Sequence, residues 1–481
     1  MSSEQTATRV PWTPALVRVM AALMISIFVA AMDATVVGTA LPTIARELGS
    51  FELYPWIVAG YLITGTTTVP LWGRLADIRG RKPVLLAGLV IFVVASALCA
   101  WSPSMLWLIA FRTLQGIGAG CIQPLVFTTV GDIFPLEQRA RLQGFFSSMW
   151  AIASIVGPGL GALFVSTIGW RWIFTINIPI GIAATALLWG YSERKQPVVD
   201  ARLDVRGAVL LTGAVTLLLV GLGTGSKSGT PQWPIAVIAL GLLVFFARFE
   251  WRSRNPTVPL HLLRHRVIGP AILIGLMAGT LMFGVTAYLP LWVQSVQGGS
   301  AYEAGVAVAA MSLGWPVASS LSGFAMIRIG YQRLVVIGAV ALVAGATMLA
   351  VAQPSGGLLW VGVASAVIGL GMGTFTAPLL IVIQSSVEWA ERGAATALNQ
   401  FSRTIGGAIG VALMGIVVQR YVGSTNDPLL AREELYRGLH ADFIGLVVLA
   451  AAVLAAGIAV LLVSRRQKVG ARASEVASAG G

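Results

Sequence analysis

Charge is what this chain has least of. Only 11% of its 481 residues are Asp, Glu, Lys or Arg, against about a quarter in a soluble domain. So little charge cannot cover a water-facing surface. Cysteine is scarce too. Cys99 and Cys121 are the only two. Both lie within apolar runs, near opposite faces of the layer those runs would cross. They are too far apart for a disulfide and read as small apolar packing residues. The three histidines, His261, His265 and His440, fall in connections without metal-ligand spacing. No Walker loop is present, which excludes direct drive by ATP. No arginine ladder of a voltage sensor is present either. The sequence therefore gives no catalytic residue, metal or cofactor to expect. Met1–Pro14 is polar and Arg18 leads into a full-length apolar run, so no cleavable leader is expected.

What the chain has is apolar length. Hydrophobic residues make up 57%, in recurring runs of roughly 20 residues, enough to cross a hydrocarbon core of about 30 Å. Backbone groups in lipid must pair within their own segment, so these runs read as helices. The 55 glycines suit close helix contacts in a membrane. Fourteen spans are expected, near 16–41, 54–75, 83–101, 104–125, 142–166, 173–191, 205–222, 234–250, 267–293, 303–325, 333–351, 358–383, 400–421 and 441–463. The net charge of +13 sits mostly in short connections. It is a topology signal rather than a nucleic-acid footprint. With both termini cytoplasmic, most of the 32 basic residues fall on the inner side, Arg392 and Arg403 among them.

A repeat sets the domain plan. Gly73-Arg-Leu-Ala-Asp-Ile-Arg-Gly80 follows the second span, and Gly323-Phe-Ala-Met-Ile-Arg-Ile-Gly330 follows the tenth. The tenth span then acts as the second span of a second half. The expected organisation is a cytoplasmic N-terminus (1–15), a six-helix bundle (16–191), and a linker with inserted spans seven and eight (192–266). A second six-helix bundle (267–463) and a cytoplasmic tail (464–481) follow. Two such halves are a common transporter plan, with the site near the membrane midplane.

Few charges lie deep in the spans. Asp33 sits inside the first run. A carboxylate at that depth is costly and is by default a functional residue; taking up a proton removes the charge that lipid disfavours. Arg112 lies in the fourth span. Both are ~12–14 Å below the outer boundary at 1.5 Å per residue, so coupling between them is expected. A structural ion pair is the alternative. Gln115 shares the helical face of Arg112. Gly73, Asp77, Arg81, Lys82 and Asp132 cluster at cytoplasmic ends and read as a conformational latch. Gly157, Pro158 and Gly161 interrupt the fifth span as a hinge or helix crossing. Tyr61, Phe146, Met149, Trp150, Phe283, Trp315 and Phe401, with Gln115, are candidates to line an adaptable apolar cavity. Asp33 is read as the one acidic residue within the spans.

These motifs resemble the major facilitator superfamily, and within it the fourteen-span drug:proton antiporter branch, over nearly the whole chain. Gly73 to Lys82 matches the loop after span two. Arg112-Thr-Leu-Gln-Gly-Ile-Gly118 is similar to the fourth-span motif, and Gly157-Pro-Gly-Leu-Gly161 to the antiporter motif, with Ala162 in place of its last glycine. Met32-Asp-Ala-Thr-Val-Val with Ala-Leu-Pro42 matches the first-span signature, with Gly38 where that branch usually has Asn. Trp170-Arg-Trp-Ile-Phe with Asn177-Ile-Pro179 is similar to its outer fifth-to-sixth connection. The resemblance implies an all-α major facilitator fold of two six-helix bundles plus two inserted helices. It also implies Asp33 as proton carrier, Arg112 as its partner, and a charge network of Asp77, Arg81 and Asp132. In the second half Ile327 replaces the loop Asp, so that copy is expected to be a weak latch.

The expected function is proton-coupled export of small amphipathic molecules by alternating access. It would be driven by the proton gradient with no cofactor, from a multi-pass position in a bacterial-type plasma membrane. Partners would be substrate, protons and membrane lipid, with a monomeric chain. A dedicated exporter of an endogenous lipid or metabolite and a non-transporting receptor or scaffold are the alternatives. With no second carboxylate in the spans, dications are not expected as efficient substrates.

Overall fold

The computed structural model describes residues 12–134, 136–190, 205–224, 230–252, 260–387, 392–423 and 431–479. The described chain is helical throughout. It divides into two compact units, residues 1–216 and 217–481.

In the first unit, α1 (Pro14–Leu48) opens with Thr13, whose hydroxyl accepts from the N–H of Leu16 at 3.2 Å, followed by a proline at the first helical position. Then come α2 (Tyr54–Thr67), α3 (Val69–Arg79), α4 (Arg81–Ala100), α5 (Met105–Ile133), α6 (Leu136–Thr167), the short α7 (Trp172–Thr175) and α8 (Asn177–Trp189). α1 packs on α6, α8 and α5, while α5 packs on α2 and α4. The unit boundary runs through α9 (Val205–Leu222).

The second unit holds α10 (Trp233–Arg252), α11 (Ile268–Leu291), α12 (Ala301–Ile329), α13 (Tyr331–Ala350), α14 (Gly357–Ser385), α15 (Arg392–Val422) and α16 (Arg432–Ala479). A π-helical turn, Trp292–Val296, extends α11 just past Pro290. A reciprocal cap starts α12: Ser300 Oγ accepts from the Glu303 N–H at 3.2 Å, and Glu303 Oε2 accepts from the Ser300 N–H at 2.7 Å. α14 packs on α12 and α13, α11 on α15, and α16 on α13, α15 and α11.

The repeat read from the sequence has the same physical form in each unit. α3 ends at Gly80 (φ 98°) and α12 at Gly330 (φ 82°), both in the left-handed region that a side chain disfavours. Each glycine N–H bonds back four residues, to Ala76 O at 2.9 Å and Met326 O at 3.1 Å, and the next helix begins at once. The helix after that carries three alternating glycines in both units. Gly116, Gly118 and Gly120 of α5 meet the backbones of Tyr61, Gly88 and Gly65; Gly369, Gly371 and Gly373 of α14 meet those of Met311, Gly338 and Trp315. A Cβ at any of the six would strike a backbone carbonyl or its neighbours, so glycine is what lets these helices touch.

Twelve helices among the described residues are long and apolar enough to cross a membrane. The expected spans two and five are not among them. The second breaks at Thr68 into α2 and α3, because Pro70 has no N–H to continue the ladder. The fifth lies in α6, a continuous helix of 32 residues whose described apolar stretch is Val156–Thr167.

Three sequence expectations need correction here. Arg403 is not in a connection, since it lies well inside α15, and His440 likewise lies inside α16. Nor is Asp33 the only acidic residue buried in an apolar helix: Glu250 of α10 and Asp442 of α16 are buried as well.

A buried ion-pair network as the candidate site

α1, α4, α5 and α8 converge on one carboxylate. Asp33 is fully buried and Arg112 is 2% exposed. Arg112 Nη1 donates to Asp33 Oδ2 at 2.7 Å and to Gln115 Oε1 at 2.6 Å. Gln115 Nε2 donates to Asp33 Oδ1 at 2.9 Å and to Ser96 Oγ at 2.7 Å. Asn177 Nδ2 donates to the same Asp33 Oδ1 at 2.8 Å. Ser96 Oγ in turn donates to the Phe92 carbonyl at 2.8 Å. Cys99 Sγ stands 3.8 Å from Gln115 Oε1.

The helices position these groups for local reasons. Arg112 and Gln115 are three residues apart and share a face of α5. Asn177 is the first residue of α8, pressed onto α1 and α4. α2 supplies the remaining wall: Arg112 Nε donates to the Ile57 carbonyl at 3.4 Å, and its guanidinium lies over the Tyr61 ring at 4.1 Å and within 5.7 Å of the Phe174 ring. A charge pair with no water is tolerated only when nearly every donor and acceptor is met. Here Asp33 receives three donors. The one orphan among these polar atoms is Asn177 Oδ1, buried without a partner.

Sequence reasoning placed Asp33 and Arg112 at one depth, and the structure brings them into direct contact. Gln115 hydrogen-bonds to both of them and to Ser96. Tyr61 is buried beneath the guanidinium. Phe146 is buried in the apolar core of the first unit, edge-on to Phe127 at 5.6 Å. Met149 and Trp150 are half-buried against that core, and Trp150 Nε1 is buried without a partner. In the second unit, Phe283 fills the space beside Gly407, Phe401 is half-buried, and Trp315 lies 5.5 Å beneath the Arg403 guanidinium.

Away from the network, Arg81 Nε meets Asp132 Oδ2 at 3.2 Å, with side chains 21% and 54% exposed. Lys82 Nζ donates to the Trp189 carbonyl at 2.6 Å. The Asp77 side chain lies outside the described residues. Gly73 has open space where a Cβ would stand. Gly157 and Gly161 seat α6 against Thr35, Val36 and Thr39 of α1, and Thr35 Oγ1 donates across that crossing to the Ala153 carbonyl at 3.0 Å. Two members of the network gave no strong signal in the sequence. Ser96 is one hydroxyl in an apolar run, and Asn177 reads as part of a connection. The motif Asn177-Ile-Pro179 marks that position without giving it a role.

Twelve helices of membrane-crossing length among the described residues, with a buried ion-pair network inside the first unit, define a polytopic membrane protein of transporter type. The family profile described as Major Facilitator Superfamily matches residues 23–411, and the chain belongs to that superfamily. It is 34% identical over 406 residues to the multidrug transporter protein MdtP of Bacillus subtilis (strain 168), covering 84% of this chain and 75% of the relative. It is 31% identical over 402 residues to multidrug resistance protein 3 of the same organism, covering 82% and 78%. A fungal efflux pump, FUS6 of Gibberella fujikuroi, is 31% identical over 416 residues, covering 83% and 75%. Among solved structures, the POT family transporter PepTSo matches with a TM-score of 0.66 at 17% identity, covering 96% of this chain and 99% of that one. A D-xylose-proton symporter matches at 0.62 and 15%, covering 93% and 96%. At those identities the likeness is one of fold.

Proposed function

We propose that this transporter is a proton-coupled antiporter that exports small amphipathic molecules by alternating access across a bacterial-type plasma membrane. The observation that carries the proposal is the buried contact of Asp33 with Arg112. A carboxylate that far from water is useful because it exchanges a proton when the protein opens to one side. The relatives described as a multidrug transporter, a multidrug resistance protein and an efflux pump support a reading of export.

The residues suggest the order of events. With Asp33 ionised, Arg112, Gln115 and Asn177 all donate to it, and α1, α4, α5 and α8 are held together. A proton arriving from outside neutralises Asp33. Arg112 keeps its charge throughout and loses its counter-ion, so the packing of these helices is no longer favoured. Substrate binding from inside favours the opposite proton state. Each ligand prefers one conformation, and that difference drives exchange. Fourteen spans, both termini cytoplasmic, a monomeric chain and no cofactor complete the proposal.

The test is transport in proteoliposomes under an imposed pH gradient, comparing wild type with Asp33→Asn across cationic dyes, neutral antibiotics and lipids. Substrate-dependent proton flux that vanishes in Asp33→Asn supports the reading. Equal transport by the variant, or transport indifferent to the gradient, defeats it. Transport of lipids alone favours the dedicated exporter.

A further inference from the structure

The second unit carries a buried carboxylate that the coupling scheme above does not use. Asp442 lies on α16 and is 5% exposed. Its neighbours at helical spacing on the same face are Leu435, Leu439, Leu446, Ala450 and Val453, all buried. That stripe faces α15 and α11. A Cβ on Gly438 would meet Val418, and one on Gly284 would meet Met414 and Leu446. Asp442 Oδ2 is buried and has no hydrogen-bond partner.

No cation neutralises Asp442 among the described residues. On its own helix, Arg437 is paired with Glu433 at 3.0 Å, and Arg432 donates to the Val296 carbonyl at 2.6 Å. His440 stacks on Tyr436 with its Nδ1 unpartnered; Glu434 is exposed. From α11 the titratable group is Tyr288, whose hydroxyl donates to the Val411 carbonyl at 3.0 Å. α15 contributes Arg420 and Tyr421, both exposed, and Arg403, which lies far along the helix over Trp315. α13 contributes Arg333, also exposed. The π-helical turn contributes no titratable side chain.

An ionised carboxylate cannot persist in such a place without a partner, whereas the neutral acid can. We infer that Asp442 is a second proton-binding carboxylate of this carrier, holding a proton in the conformation described here and releasing it when α16 is hydrated in another. The inference rests on the proton-coupled reading above. It adds that the two units present opposite arrangements: Asp33 is surrounded by donors that suit its ionised form, and Asp442 by apolar groups that suit its acid form. The step is a proton moving between water and one carboxylate oxygen, with no further reactant. A carrier with one such site in each unit exchanges two protons per cycle.

The experiment is a null-point measurement in proteoliposomes with the membrane potential clamped at zero. For a substrate the wild type transports, one finds the substrate gradient at which net flux stops under a one-unit pH gradient. That gradient does not depend on the fraction of active protein. In Asp442→Asn the balancing gradient is expected to be about tenfold smaller, the equivalent of one proton fewer. An unchanged null point overturns the inference and leaves the antiporter reading standing. A wild-type null point indifferent to pH defeats the antiporter reading itself. Should Asp442→Asn be inactive, infrared spectroscopy of the purified protein decides: the wild type is expected to have a protonated-carboxyl C=O band at neutral pH that the variant loses. Wild-type and Asp442→Asn spectra that carry the same protonated-carboxyl bands overturn the inference.

Discussion

Asn177 donates its amide N–H to Asp33, Nδ2 to Oδ1 at 2.8 Å, joining the start of α8 to the middle of α1. Gln115 donates to the same oxygen and Arg112 to the other. Every bond reaching this carboxylate comes from a donor, so a protonated Asp33 must find an acceptor. The Oδ1 of Asn177 is buried without a partner, and half a turn of the amide would present it to a protonated Asp33.

Asn177→Ala therefore removes both a donor for the ionised state and an acceptor for the protonated one. A lost hydrogen bond to a charged group costs about 1.5–3 kcal/mol, so coupled transport is expected to slow about tenfold or more. Asn177→Asp sets a second carboxylate beside the first and is expected to be worse. Initial rates under a fixed pH gradient check both, and a wild-type rate in Asn177→Ala would remove Asn177 from the site.

Arg112→Met leaves Asp33 buried with no counter-charge, at a cost of about 3–5 kcal/mol. Combining it with Asp33→Asn removes both charges and is expected to restore most of that stability while leaving transport uncoupled. Thermal unfolding in detergent measures the first effect and proteoliposome flux the second. A single variant as stable as the double would mean that the pair is not sealed from water.

The alternating glycines are expected to be intolerant of bulk in both units alike. Gly118→Leu and Gly371→Leu force a side chain into the backbone of the neighbouring helix and should yield little monodisperse protein on size exclusion. Gly73→Ala meets open space and should match wild type in yield and unfolding temperature. Any transport defect in Gly73→Ala then belongs to the conformational cycle rather than to folding.

The Arg81–Asp132 contact is exposed and is expected to contribute at most ~1 kcal/mol to stability, less in high salt. Asp132→Asn should shift the unfolding temperature little. If transport nonetheless drops several-fold, the contact acts on the equilibrium between conformations, as a latch would. Stability and transport falling together would make it ordinary surface support.

The sequence by itself was enough to establish the helical membrane class, because hydrophobic length and backbone hydrogen bonding in lipid leave few alternatives. It also located Asp33 and Arg112, since a charge in an apolar run is conspicuous, and it matched their depths, since rise per residue is fixed. What depth cannot give is direction around the helix axis. Phe146 and Trp315 look alike in the sequence, yet one is sealed in a core and the other lies half-buried under Arg403. Ser96 and Asn177 joined the network only because α4 and α8 rotate them toward Asp33. Asp442 stands at the edge of the expected span 441–463, and only the packing of α16 on α11 and α15 decides that its oxygen is buried. Burial of a polar atom depends on which neighbour covers it, and that neighbour is supplied by distant parts of the chain.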